Sequence, residues 1–476
     1  MTDTINTAGD AEPLVEQPPT KALWTVIVLC FSGMSVSLMQ TLVIPIQSQL
    51  PDYLNTSPAN AAWVVTATLL GAAVAMPIAG RLADLFGKQR VLVGSSLLLL
   101  AGSLTCALSS TIGPVLAGRT LQGLAMGFIP VGISLMREVV PPAMATTAVA
   151  AMSATLGVGG AIGLPLSAWI VQSGDWHALF WVATGLAVLV GLGTWFLVPH
   201  VHDGHRGRFD VGGAIGLAVG LVVTLVGVTK GNEWGWTSGR TVGCLVVGVL
   251  VLLVWGWYEL RTTDPLCDLR VTARRPVLLT NIAAIAIGFG MMAQAIVFPQ
   301  LLQMPEATGY GLGQSILATG LWMAPSGLGM LALAPVSSWL MRTFGAKYAL
   351  ALGGFVLGAG YLLSFFLMDA PWEILIATLV CAAGVGIGYA AMPTLIMDAV
   401  PMNEAGSAVG INALMRSLGT TVASAVMAAI LTGQTELIGG FAIPTQDAFK
   451  LCFLVATVAA VVGGALALTI PRSEQA

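Results

Sequence analysis

The sequence predicts an all-α integral membrane protein: two six-helix pseudo-repeats plus two inserted helices, about fourteen transmembrane helices in all. Three observations carry this. Only 9% of the 476 residues are charged and 56% are hydrophobic, with mean hydropathy +0.88; a soluble domain carries about 25% charged residues. So sparse a charge leaves no hydrophilic surface for a large soluble body, and lipid must be the solvent. Next, the apolar runs are long enough to cross the hydrocarbon core, which takes about 20 residues. Finally, the chain repeats itself.

The runs fall near 22–49, 59–81, 90–109, 112–136, 143–172, 177–198, 210–229, 239–259, 276–302, 313–341, 346–368, 372–399, 405–432 and 448–470. Barrel strands would instead alternate over about ten residues. Longer polar connections occur only near 199–209, 260–275 and 433–447. Residues 1–20 read as a disordered acidic tail with no basic n-region, unlike a secretory signal. The organisation expected is a tail (1–20), a first six-helix half (21–198), a linker with inserted spans 7 and 8 (199–275), a second half (276–471) and a tail (472–476). With both termini placed in the cytoplasm, fourteen of the nineteen Lys and Arg residues fall in cytoplasmic segments and only Lys230, Arg240 and Lys450 fall outside. That is the positive-inside asymmetry of an even number of spans in a multi-pass cell (inner) membrane protein.

In the repeat, Pro77 and Phe86-Gly87 recur at one constant offset as Pro335 and Phe344-Gly345. Thr155-Leu156-Gly157 recurs as Ser417-Leu418-Gly419 at a slightly larger one. The repeat pairs spans 1–6 with spans 9–14 and leaves 7 and 8 without counterparts; parallel repeats of this kind build many secondary transporters. Spans 7 and 8 are therefore expected at the periphery, with Glu259 and Asp264 at their cytoplasmic exit, where a solvated connector is the plainest reading.

Gly80-Arg81-Leu82-Ala83-Asp84-Leu85-Phe86-Gly87-Lys88-Gln89-Arg90 joins spans 2 and 3. Two glycines bracket a tight turn where positive φ is expected, and one acid sits among Arg81, Lys88 and Arg90. In span 4, Arg119-Thr120-Leu121-Gln122-Gly123 puts a guanidinium roughly 10 Å along a spanning helix, which is costly unless it faces a polar interior. Span 5 carries Gly157, Gly159, Gly160, Gly163 and Pro165, suited to close helix approach. Span 13 carries Asn412 and a second intramembrane arginine, Arg416.

These motifs resemble the major facilitator superfamily. The loop 80–90 resembles its loop signature, Arg119-x-x-Gln122-Gly123 the span-4 motif of its proton-coupled exporters, and the span-5 glycines with Pro165 its antiporter motif. That last motif departs from the pattern, since the proline comes one residue late and Ser167-Ala168 replaces the usual glycine pair. Glu259-Leu260-Arg261 with Asp264-Pro265-Leu266, the inserted spans, and Asn412 with Arg416-Ser417-Leu418-Gly419 resemble the fourteen-span drug:proton antiporter family. An acid usual within span 1 of that family is replaced here by Met39.

The resemblance implies alternating-access export of amphipathic small molecules (drugs, antibiotics or toxic metabolites) by proton antiport, from a monomer in the plasma membrane. Export of a lipid or endogenous metabolite is the alternative. It implies a lock in which Asp84 meets the start of span 13, Asn403-Glu404-Ala405-Gly406; Arg342 stands at the repeat-related site, so the lock is one-sided. It implies a cavity lined by spans 1, 4, 9 and 12, with help from 2, 5, 10 and 13. Polar candidates there are Gln40, Arg119, Gln122, Asn281, Gln294, Asn412 and Arg416; adaptable apolar ones are Met126, Met291, Met292, Phe298, Trp322, Met323, Tyr389 and Met392.

An integral-membrane enzyme is the rival of another class, but it needs clustered reactive groups at one depth. His177, His200, His202 and His205 fall in loops, and no nucleotide-binding fingerprint occurs. No cofactor or metal is implied: the six cysteines are scattered and read as apolar fillers. A net charge of −3 does not point to nucleic acid. None of the 22 acids is deep in an expected span, whereas Arg119 and Arg416 are. Neutral or anionic amphipaths are therefore the expected substrates, and Glu138 and Asp398, at the ends of spans 4 and 12, are the remaining candidate proton carriers.

Overall fold

Lipid offers no partner to a backbone N–H or C=O, so each spanning segment must satisfy its own, and the chain answers with helices. The computed structural model describes residues 19–47, 49–172, 175–200, 207–438 and 441–471; the tails 1–18 and 472–476, with His202 and His205, lie outside them. The first half contains α1 (Pro19–Thr41), α2 (Trp63–Phe86), α3 (Lys88–Ala107), α4 (Ile112–Leu124, a 3-10 turn Ala125–Gly127, then Phe128–Val139), α5 (Pro142–Gln172) and α6 (His177–Leu197). Then come α7 (Val211–Trp234) and α8 (Gly239–Glu259). The second half contains α9 (Arg275–Gln303), α10 (Ile316–Ala332 continued by Ala334–Phe344), α11 (Ala346–Phe366), α12 (Pro371–Ala399), α13 (Ala405–Gly433) and α14 (Gln446–Leu468).

Among the described residues, 13 helices are long and apolar enough to cross a membrane. The interrupted α4 adds a further crossing, because its pieces run end to end over 112–139. Other departures from the sequence expectation have local causes. The first span ends at Thr41 and gives way to a 3-10 turn at Ile44–Ile46; a proline at position 45 has no N–H to continue the ladder. α10 breaks at Leu333, with Pro335 just inside the piece that follows. The connection 433–447 is not plain loop. It holds β1 (Thr435–Ile438) and β2 (Phe441–Pro444), an antiparallel pair with Thr435 opposite Pro444. The hydroxyl of Tyr310 donates to the Pro444 carbonyl and ties this hairpin to the α9–α10 connection.

Two large apolar cores and a smaller one organise the packing. The first half closes around Leu99, Phe128, Met136, Phe180 and neighbours; the second around Phe298, Tyr361, Phe449 and Phe453. The halves meet along two seams, α2 against α13 and α5 against α10, with α5 also touching α12. At one end the seam is more than contact: Ile396, Met397, Ala408 and Val409 of the second half belong to the first half's core. The third core, with Leu217, Leu221 and Leu225 of α7, packs on the outside of the α2–α13 seam against Ala73, Ile411 and Leu414. α8 leans only on α7 among the closely packed helices, and just Thr241, Gly248 and Glu259 of it are buried. Glu259 is 2% exposed, so the solvated connector expected there is corrected: the carboxylate is folded inward. Exposed Leu189, Trp195, Phe196, Leu253, Val254, Phe366 and Val462 are apolar surface for acyl chains.

The repeat is visible in backbone geometry. Gly87 (φ +95°, ψ +135°) and Gly345 (φ +96°, ψ +153°) turn α2 into α3 and α10 into α11 with one conformation. Gly80, the other bracketing glycine, is helical and serves by its size. We expect Gly87→Ala to cost about 1–3 kcal/mol and to lower the thermal unfolding midpoint in detergent. Gly94→Ala should not, since Gly94 is helical and a Cβ there meets nothing within 4 Å.

A candidate gate and two buried arginines

The face where α2 meets α3 carries most of the basic residues and is called here the basic face. Asp84 lies one turn before Gly87, at the end of α2, and is 3% exposed. Its Oδ1 accepts from the Gly406 amide at 3.1 Å and its Oδ2 from the Ser407 amide at 2.8 Å. These amides belong to the first turn of α13, whose N–H groups have no intrahelical partner and carry partial positive charge. The approach depends on two glycines: a Cβ on Gly80 would collide with the Gly406 carbonyl, and a Cβ on Gly406 with Asp84.

Other contacts close the same face. Arg137 of α4 pairs with Asp398 of α12 at 2.8 Å, and Thr147 of α5 shares a 2.8 Å hydrogen bond with Ser338 of α10. Ser407 Oγ donates to the Leu266 carbonyl at 3.3 Å, fastening the α8–α9 connection over the seam. Within the first half, Lys88 and Glu138 form a buried ion pair that joins α3 to α4. A cavity of about 210 Å³ lies behind the closure, with Arg81, Asp84, Asp264, Asp268, Asn281 and Glu404 in its wall. Magnitudes rank these contacts. The Arg137–Asp398 pair is 28% and 45% exposed, and such pairs contribute about 0–1 kcal/mol. A buried carboxylate accepting two amides draws on bonds of about 1.5–3 kcal/mol each. The Asp84 contact is the principal fastener. The two inter-half contacts α4–α12 and α5–α10 were not legible in sequence, where Asp398 reads only as an interfacial acid. Arg90 points outward and is exposed.

The intramembrane arginines sit on opposite sides of the seam. Arg119 is 1% exposed. Its Nε donates to the Val64 carbonyl at 3.1 Å, and Nη1 donates to the Met39 carbonyl at 3.1 Å and to Gln122 Oε1 at 2.7 Å. Gln122 passes the chain on to Ser103 Oγ at 2.9 Å. Nη2 is buried with no hydrogen-bond partner. The place where the resemblance expects an acid thus offers Arg119 a backbone carbonyl. Arg416 is 5% exposed; Nη1 donates to Asn412 Oδ1 at 3.0 Å, and the guanidinium lies over the Tyr389 ring at 4.8 Å. Asn412 Nδ2 donates to Asn281 Oδ1 at 2.9 Å. Among the described residues neither arginine pairs with a carboxylate.

The remaining candidates divide. Met126 lies in the 3-10 turn of α4, and Met392 in the second core. Phe298 stacks on Tyr361 at 6.0 Å and tilts on Phe453 at 5.3 Å, inside the second half. Gln294 donates to the Thr378 carbonyl at 3.4 Å and Trp322 to Gln314 at 3.1 Å. Gln40, Met291, Met292 and Trp322 are half-buried, Met323 buried. On α5, Gly159 and Gly163 receive α1 (Met34 and Thr41), while Gly157 faces Met330 and Pro165 faces Gly320 of α10; Gly160 keeps more room. α5 is thus a smooth surface between its own half and the other.

A two-halved helical membrane protein with one closed seam face is the arrangement of an alternating-access transporter. The chain belongs to the Major Facilitator Superfamily, whose family model matches residues 29–424 and again 280–475. It is 28% identical over 373 residues to the multidrug resistance protein Stp of Mycobacterium tuberculosis, covering 78% of this chain and 68% of that one. The human organic anion transporter MFSD10 (TETRAN) superposes with TM-score 0.65 at 15% identity, over 95% of this chain and 100% of that one. The proton:xylose symporter XylE does so with TM-score 0.66 at 13% identity, over 95% and 96%.

If Asp84 is the principal fastener, Asp84→Asn should raise the open fraction of the gate about ten-fold, since losing the charge removes about 1.4 kcal/mol. A thiol at buried Ala408→Cys should then label about ten times faster with an impermeant maleimide at the basic face. Arg137→Ala should change that rate by about five-fold at most, the upper end of what such a pair contributes.

Proposed function

We propose that the chain is a secondary active exporter of amphipathic small molecules, drugs or toxic metabolites, that prefers neutral or anionic ones and works by alternating access against protons. In this reading the basic face is cytoplasmic, as positive-inside charge favours, both termini lie on that side, and the monomer is the working unit. Residues 21–198 and 276–471 form the two rocking halves, and the Asp84 fastener holds the cytoplasmic end shut.

The observation that carries the substrate class is the pair of buried arginines without carboxylate partners, Arg119 with one donor nitrogen still open. A cation entering between the halves would meet two like charges and, among the described residues, no acid at mid-span, at several kcal/mol in low dielectric. An acidic or carbonyl group on the substrate meets donors instead. The name of the mycobacterial relative supports drugs as the cargo. Glu138 and Asp398 are each engaged by a cation, Lys88 and Arg137; a carrier must exchange such a partner for a proton, which Asp398 does as the halves separate, whereas Glu138 and its Lys88 partner stay in one half and must part within it.

The test uses reconstituted vesicles and a matched pair of cationic and anionic dyes, with and without an imposed proton gradient. Anion efflux should exceed cation efflux, and Arg416→Ala should reduce it about ten-fold or more, the loss of one charge-assisted hydrogen bond. Robust cation efflux untouched by substitution of either arginine would overturn the substrate class. If neither Glu138→Gln nor Asp398→Asn alters gradient-driven efflux, neither is an essential carrier.

A further inference from the structure

The inserted helices bring two acids together where the first half's repeat offers none. Asp210 caps α7: Oδ1 accepts from the Gly213 amide at 2.8 Å and from the Tyr258 hydroxyl at 3.1 Å. Glu259 ends α8, and its Oε2 accepts from the Cys267 amide at 3.4 Å. The other oxygen of each acid, Asp210 Oδ2 and Glu259 Oε1, is buried with no hydrogen-bond partner. Both oxygens face one point, because a Cβ on Gly213 would collide with each of them. Two carboxylates within roughly 5 Å of one another, one of them buried, repel unless a proton or a cation stands between them. Among the described residues no Lys or Arg pairs with either. The groups facing the pair are the Tyr258 hydroxyl, the buried Cys267 thiol and, beyond that thiol, Arg81. The indole N–H of Trp255 and the Leu266 amide also face the Glu259 carboxylate as donors.

We infer that Glu259, with the Asp210 carboxylate facing it, is a proton-binding site that takes one proton from the cytoplasm, and that its occupancy is transmitted to the gate. The connection is short. Glu259 holds Cys267, the adjoining Leu266 carbonyl takes the Ser407 hydroxyl, and the Ser407 amide is one of the two that hold Asp84. With the proton bound, the pair carries one negative charge and the connection stays seated. Loss of the proton to water leaves two negative charges in one buried site; the repulsion is relieved by moving Glu259 outward, which unseats 266–267 from α13. The gate should therefore loosen as cytoplasmic pH rises and be held shut as it falls. This site stands apart from the arginines and from Glu138 and Asp398, and it does not depend on what is exported.

The experiment uses the full chain in liposomes. An infrared difference spectrum across a pH step should contain one protonated-carboxyl stretch that both Glu259→Gln and Asp210→Asn abolish. Spin labels at Phe86→Cys and Met402→Cys, exposed residues on opposite halves of the gate, should separate as pH rises. In Glu259→Gln, and independently in Asp210→Asn, that pH response should fall about ten-fold or vanish. A carboxyl band unchanged in both variants overturns the site; a band lost with the pH response of the label distance intact overturns the coupling. Failure of dye export leaves both readouts unaffected and bears only on the substrate proposal.

Discussion

Everything in this molecule is conditioned by the absence of water around its backbone. Once each segment must close its own hydrogen bonds as a helix, helices gain little from burying apolar faces, because lipid is as apolar as leucine. What remains to hold helices together is close fit. The seams show how it is obtained: Gly80 against Gly406 and Gly157 against Met330 remove a Cβ where two backbones or a backbone and a thioether must nearly touch. The polar fasteners described between the halves lie together on the basic face. Asp84 is the strongest because it is buried and accepts two amides of the first turn of α13 that have no intrahelical partner.

Low dielectric sets the second constraint, on charge. Arg119 is accommodated without a counter-ion by carbonyls from two neighbouring helices and by the Gln122–Ser103 chain. Arg416 is accommodated by an aromatic face and two asparagines. Lys88 and Glu138 neutralise each other instead. These solutions differ in consequence. A neutralised pair must be broken to act, whereas an arginine bound to dipoles keeps its charge available to an incoming group.

Much of the architecture was legible from the sequence because hydropathy over twenty residues and charge in short loops are local properties that the bilayer reads directly. The start of α13 as Asp84's partner followed from resemblance, and the structure supplies its geometry. Interruptions in α1, α4 and α10 were harder, since a proline or glycine in a long apolar run permits either a kink or a break and packing decides. Glu259 was misjudged for another reason: a charged residue at the end of a span is normally solvated, and only the fold of 260–275 over the α2–α13 seam buries it. Side chains such as Phe298 and Gln40 cannot be assigned to a cavity or a core from periodicity alone, because a membrane helix is apolar on every face.

The elbows at Gly87 and Gly345 share one backbone conformation, yet only the first is preceded by an acid; the repeat-related residue is Arg342. Duplication preserved the bend and let the chemistry diverge. The two edges between the halves are therefore unlike: the α2–α13 edge holds the two amide bonds of Asp84, and the α5–α10 edge packs through small residues, with the Thr147–Ser338 hydrogen bond at its basic end. Whatever parts the halves must supply the few kcal/mol of the Asp84 contact, because geometry redistributes force and leaves the free energy of the bonds unchanged.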